Sequence, residues 1–209
     1  MGNKAGNMCI ILGTVLILGA LSLFVHNQME ATAAEEVTAE ILPEVVEVIE
    51  ERKQETIQQG EPQPEQVEIP PELLAPEELE MDEIVVDGHA YIGFLTIPAL
   101  NLELPVMADW DDTRLRIAPC RYAGSLKGEN LVIMAHNYRN HFGKLNALRE
   151  GDEVLFSDVN GVVTRYRVEA KDLLEPDMVE EMTEGLFDLT LFTCTYSRQH
   201  RVTVYCEMY

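Results

Sequence analysis

The sequence predicts an all-β domain carrying one or two short helices, set behind a membrane helix and an acidic linker. Three features lead there: an uncharged apolar run near the N-terminus, a long stretch rich in Glu and Pro with no aromatic residue, and short apolar runs broken by turn residues from about residue 85 onward. Runs of that length and spacing are what barrels and sandwiches are made from.

The elements follow in chain order. Residues 1–7 form a short tail with Lys4. Residues 8–25, MCIILGTVLILGALSLFV, contain no charge, and as a helix they extend about 27 Å, close to the ~30 Å of a hydrocarbon layer. Lys4 precedes the run and Glu30, Glu35 and Glu36 follow it, so the bias of basic residues puts the tail in the cytoplasm and the rest outside. A cleavable signal is the competing reading, because Ala31-Thr32-Ala33 has the small-x-small form of a cleavage site. Residues 26–84 carry Pro43, Pro62, Pro64, Pro70, Pro71 and Pro76 among many glutamates. Such a composition buries too little apolar surface to offset chain entropy and is expected to be a disordered extracellular stalk. Val45, Val46, Val48 and Ile49 suggest a transient helix over 41–57, and binding of a basic partner or a metal is the non-linker alternative.

The globular domain is expected over 85–209. Strands are predicted at 91–97, 102–107, 130–135, 153–156, 162–168, 189–194 and 201–206, with Asn160-Gly161 as a hairpin turn. Short helices are expected at 176–185, stopped by Gly185, and at 142–148. The net charge of -22 argues against nucleic-acid partners, which are held by Lys and Arg on phosphates. Of four cysteines, Cys9 lies in the apolar run. That leaves Cys120, Cys194 and Cys206 outside, so at least one thiol is free even if Cys120 and Cys206 bridge.

Cys194 ends an apolar strand and is followed by a polar connection holding Arg198, His200 and Arg201. Cysteine nucleophiles act as thiolates, which nearby cations stabilise. On those residues alone, a buried free cysteine beside a basic turn fits equally well. His136 favours chemistry, because it ends the run Leu131-Val132-Ile133-Met134-Ala135 and so stands at another strand terminus. A Cys, a His and an Arg on separate strand ends are what acyl transfer through a thioester needs. His141 is the rival base, read as a surface histidine of a polar loop. Zinc is the other sharp alternative, but neither a CxxC nor an HExxH pair is present.

Thr190-Leu191-Phe192-Thr193-Cys194 resembles the TLxTC signature of the sortase family, and Ala135-His136-Asn137 resembles the segment carrying its histidine. Arg201, opening RVTVYC, matches the family's arginine, while YIGFLTIPALNLELPV and FGKLNALREGDEVLF resemble its first strands and the segment after the histidine. The resemblance covers about residue 90 to the end. It implies a closed eight-stranded sortase-type β-barrel and a cysteine transpeptidase at the cell membrane, single-pass, with its domain outside. Cys194 would attack a sorting-signal peptide near the C-terminus of an exported protein, and His136 would be acid and base. Arg201, preferred over Arg198, would hold the oxyanion or orient the substrate backbone. An amine of cell-wall peptide or protein would be the acceptor, and no cofactor is expected. Asn137 and Thr193 are weaker candidates for substrate contact: Asn137 could instead orient the histidine or be a turn residue, and Thr193 could equally fill a strand position. Neither a C-terminal membrane segment nor an aromatic acidic lid is evident, since Asp109-Trp110-Asp111 follows the second strand; an anchoring role is therefore expected over pilus polymerisation. A calcium site cannot be placed from sequence. Hydrolysis by the same residues, and a tethered non-enzymatic binding domain, remain the alternatives.

Overall fold

The structure, a computed structural model, describes residues 2–59, 80–183, 186–195, 197 and 199–209. The proline-rich half of the expected stalk, Gly185 and Arg198 lie outside these residues.

One helix, α1 (Gly2–Gln59), continues from the tail through the apolar run into the acidic stretch. Ile10, Leu16, Leu21 and Phe24 stand exposed along the run, as lipid-facing side chains do. Among the described residues α1 is the one helix long and apolar enough to cross a membrane.

Beyond the run the structure departs from the expected disordered stalk. Ala34, Thr38, Ile41, Val45 and Ile49 are buried, and their spacing of three or four residues makes one stripe of the helix. Ile41, Val45 and Ile49 join Ile84, Val86, Tyr91, Met107 and Leu115 in an apolar cluster against the barrel. Glu35, Glu36, Glu40, Glu44, Glu47 and Glu50 occupy the other faces and stay in solvent. Average composition therefore read as disorder, whereas the helical period sorts the same residues into a buried stripe and a solvated surface. Burial of the three aliphatic side chains contributes on the order of 5 kcal/mol. Pro43 lies inside the helix, where it cannot donate to the Ala39 carbonyl. The anchored Ile41 and Val45 on either side hold that turn in place.

Nine strands follow: β1 (Ile84–Val86), β2 (His89–Ile97), β3 (Leu102–Met107), β4 (Cys120–Ala123), β5 (Leu131–Met134), β6 (Glu153–Asp158), β7 (Val163–Leu174), β8 (Leu189–Cys194) and β9 (Arg201–Met208). Their order is β1-β2-β3-β4-β5-β8-β9-β7-β6, and β6 pairs back onto β2. Strands β2 to β9 thus close into an eight-stranded barrel, with β1 appended to β2. Leu95, Ile97, Leu104, Ile133, Phe156, Leu191 and Val204 fill its interior.

Closure depends on Gly93. The β2–β3 register shifts between Tyr91 and Gly93, and from Gly93 onward β2 also pairs with β6. Gly93 has φ +145°, and a Cβ there would collide with the Ser157 carbonyl. Only glycine lets the two strands meet.

Strands predicted at 102–107 and 189–194 have the expected limits, while β7 and β9 run further than expected, to Leu174 and Met208. The Asn160-Gly161 hairpin forms between β6 and β7, with the Asp158 carboxylate accepting from the Asn160 and Val162 amides at 2.9 Å. The expected helix at 142–148 is a 3-10 helix, Phe142–Ala147. The one at 176–185 is a single turn, α2 (Val179–Thr183).

Candidate active site

Backbone register sets the site. β5 and β8 are parallel neighbours with Met134 opposite Phe192, and the ladder continues with the Ala135 amide donating to the Phe192 carbonyl at 3.2 Å. His136 is the next residue, in the loop that follows β5. On the other side of β8, Cys194 pairs directly with Arg201 of β9. Cys194 and Arg201 therefore form one row across adjacent strands, a step of about 5 Å, and His136 lies two residues past the end of β5 on the far side of β8.

Alternation decides which way the row faces. Leu131, Ile133, Ala135, Leu189 and Leu191 belong to the barrel interior. Val132, Met134 and Phe192 point outward, where they meet Leu174, Met182 and Tyr122. Cys194 shares this outer face and is half-buried. The Arg201 guanidinium donates from Nη1 to Cys194 Sγ at 3.0 Å, so a permanent positive charge sits against the sulfur. The hairpin behind it is tied by the Thr195 amide to the His200 carbonyl at 2.9 Å and by the His200 amide to Thr195 Oγ1 at 3.3 Å.

Thr193 alternates away from Cys194. It is 3% exposed, and its hydroxyl donates to the Ala135 carbonyl at 2.8 Å. The hydroxyl is engaged inside the barrel, clasping the end of β8 to the residue before His136, which accords with the strand-filling role left open beside substrate contact. Asn137 is half-buried beside the histidine, in a loop folded on itself by the Phe142 amide to the His136 carbonyl at 3.2 Å and the Gly143 amide to the Tyr138 carbonyl at 2.9 Å.

His141 is not the surface histidine expected from its polar loop. It is fully buried, and its Nε2 lies 3.2 Å from Thr38 Oγ1 of α1. Burial foremost, and then the charge of His136, lower its pKa to about 4, so the ring is neutral at physiological pH. Sequence reasoning missed this pairing because its partner is a helix residue 103 positions away. The outer apolar face was more accessible to inference, since Val132 and Met134 alternate with the core residues of the same run.

All four cysteines are free, and Cys120 and Cys206 lie in different apolar clusters, so the bridge considered from sequence does not form. Burial pushes both thiols up to about 12, which leaves them inert at neutral pH. No group of three or more His, Cys, Asp or Glu side chains is gathered for a metal among the described residues. A cavity of about 610 Å³ between α1 and β3 is lined in part by Thr38, Glu35, Arg139 and Lys144. It borders the histidine loop without including Cys194.

Chemically, the strand ends offer a thiol and a fixed cation, with an imidazole in the loop after the neighbouring strand and an apolar cluster packed on the outer face beside them. The family model for the Sortase domain matches residues 95–209. Among solved structures, the chain is similar to sortase C of Streptococcus pneumoniae at 24% identity and a TM-score of 0.56, covering 83% of this chain and 96% of that one. It is similar to the sortase D5 transpeptidase of Clostridium perfringens at 18% identity and a TM-score of 0.58, covering 83% and 99%. The likeness to sortase C1 of Streptococcus suis is 26% identity with a TM-score of 0.51, covering 58% and 74%. No curated protein matches the chain.

Proposed function

The chain belongs to the sortase family, whose members are cysteine transpeptidases, and from that premise we propose that it cleaves a C-terminal sorting signal of exported proteins and passes the acyl group to an amine. Residues 85–209 are the catalytic unit in this reading, and the apolar run of α1 is a retained single-pass anchor that keeps the unit outside the cell.

Cys194 Sγ attacks the scissile carbonyl carbon, and the C–N bond breaks as His136 gives a proton to the departing amine. A thioester remains. The incoming amine, on cell-wall peptide or protein, attacks that thioester and loses a proton to His136, and Sγ departs. Arg201 stabilises the oxyanion of each tetrahedral intermediate or fixes the substrate backbone. The apolar cluster of Val132, Met134, Phe192 and Tyr122 on the same outer face as Cys194 supports a peptide substrate with an apolar segment. Asn137 is placed to orient the histidine or to touch this segment, while Thr193 serves the strand ends.

The observation that carries the reading is the Arg201 guanidinium 3.0 Å from Cys194 Sγ. The test is the full-length protein in lipid nanodiscs, incubated with a peptide library and glycine peptides as amine donor, and analysed by mass spectrometry. A thioester on Cys194 and an amine-dependent ligated product are expected, both lost in Cys194→Ala. A thioester that yields only hydrolysed peptide would make the protein a peptidase. Absence of any adduct would remove the enzymatic reading.

A further inference from the structure

α1 does more than tether the barrel, and its threonines show where. Thr14 and Thr32 turn their hydroxyls back onto the helix, to the carbonyls of Ile10 and Gln28 at 2.9 and 3.0 Å. Thr38 instead reaches across to the barrel, its Oγ1 lying 3.1 Å from the Ile117 carbonyl and 3.2 Å from His141 Nε2. A hydroxyl has one proton to give. The Ile117 carbonyl can only accept, so Thr38 donates to it and accepts from His141 Nε2–H. That arrangement fixes the tautomer and ring plane of His141.

From His141 the contacts lead to the candidate acid and base. The ring of His141 lies 5.6 Å from that of Tyr138, tilted by 51°, and Tyr138 lies 4.9 Å from the ring of His136, tilted by 42°. The backbone of this loop is closed by the His141 amide donating to the Tyr138 carbonyl at 3.0 Å. The loop that carries His136 thus ends in a buried side chain held by the membrane helix. A proton carrier must present its nitrogen within hydrogen-bond reach, and about 1 Å of misplacement costs about a hundredfold in rate.

We propose that Thr38 and His141 are positioning residues for His136, acting through Tyr138, so that the Thr38–His141 hydrogen bond across the seam between α1 and the barrel sets the orientation of the imidazole. The functional half of this rests on the reading of His136 as acid and base. The clasp itself does not.

The experiment uses full-length protein in lipid nanodiscs, labelled at histidine, with the His136 ring resonance assigned through His136→Gln. Two readouts are followed across pH: that resonance, and the rate at which iodoacetamide alkylates Cys194. Thr38→Val is expected to shift the resonance and its titration midpoint and to change the alkylation rate at neutral pH by about tenfold, the scale of a sub-ångström displacement. Thr38→Ser, which keeps the hydroxyl, is expected to match the wild type. Val45→Ala, which loosens the helix in the apolar cluster without touching Thr38, is expected to lower the Tm and leave the resonance in place. Should Thr38→Val fail to fold, Thr38→Ala removes the same hydroxyl with a better helix former. An unmoved resonance in both hydroxyl-deleted variants, or an equal movement in Val45→Ala, overturns the proposal. Identical alkylation profiles for wild type and His136→Gln would instead overturn the catalytic reading, while the resonance still decides the clasp.

Discussion

Acid should loosen this protein through one histidine. His141 is buried without a carboxylate partner in its hydrogen bond to Thr38, and burial lowers its pKa to about 4, against 6.5 for an ordinary imidazole. The folded value is the lower one, so the unfolded chain takes up the proton first. Stability from this site is therefore complete above pH 6.5 and is lost as pH falls from 6.5 through about 4. The gap amounts to about 3 kcal/mol, at ~1.4 kcal/mol for each pH unit. His141→Gln keeps a donor for Thr38 and removes the titration. Urea unfolding of both proteins between pH 4 and 8, with hydrogen exchange over residues 34–49, isolates the term as the difference between the two curves. The wild type should lose about 3 kcal/mol more than the variant over that window, with the helix amides opening first. Parallel curves between pH 6.5 and 4.5 would show that His141 is protonated or exposed in the folded protein, and the burial argument would fail.

Other perturbations address other parts of the molecule. Gly93→Ala places a methyl against the Ser157 carbonyl at φ +145° and should cost about 1–3 kcal/mol or prevent closure, measured by thermal unfolding; a neutral result would mean that β2 and β6 do not cross there. Ile49→Ala should cost about 2–5 kcal/mol and make the segment after residue 30 sensitive to protease, whereas a free stalk would show neither change. Arg201→Lys keeps a charge but loses the planar fork beside Cys194. Transpeptidation should then fall by about 10²–10³ with the fold intact by circular dichroism, and near-wild-type turnover would exclude Arg201 from the oxyanion role.

Strand texture and strand ends were legible because each depends on local pattern. Leu102–Met107 and Leu189–Cys194 announce themselves by apolar runs bounded by turn residues, and the barrel carries Cys194 and Arg201 to adjoining positions because a short hairpin links their strands. β1 and β4 were not visible, being only three and four residues long, too short to show an alternating pattern. The acidic helix was misread for a different reason. Its glutamates dominate any average, and the stripe of Ile41, Val45 and Ile49 gains meaning only once a barrel face exists to receive it. Thr38 and His141 could not be paired from sequence at all, because a hydroxyl and an imidazole 103 residues apart leave no periodic trace.

The unbroken course of α1 has a consequence for reach. From Val25 at the end of the apolar run to Thr38 is thirteen helical residues, or roughly 20 Å of rise. In the proposed membrane-seated topology, the barrel would ride on a mast of fixed height and would not sweep outward as it would on a string. Cargo would have to be handed over within a shallow layer just above the bilayer, at a set angle, which favours proteins still held by their own membrane segment over those already released.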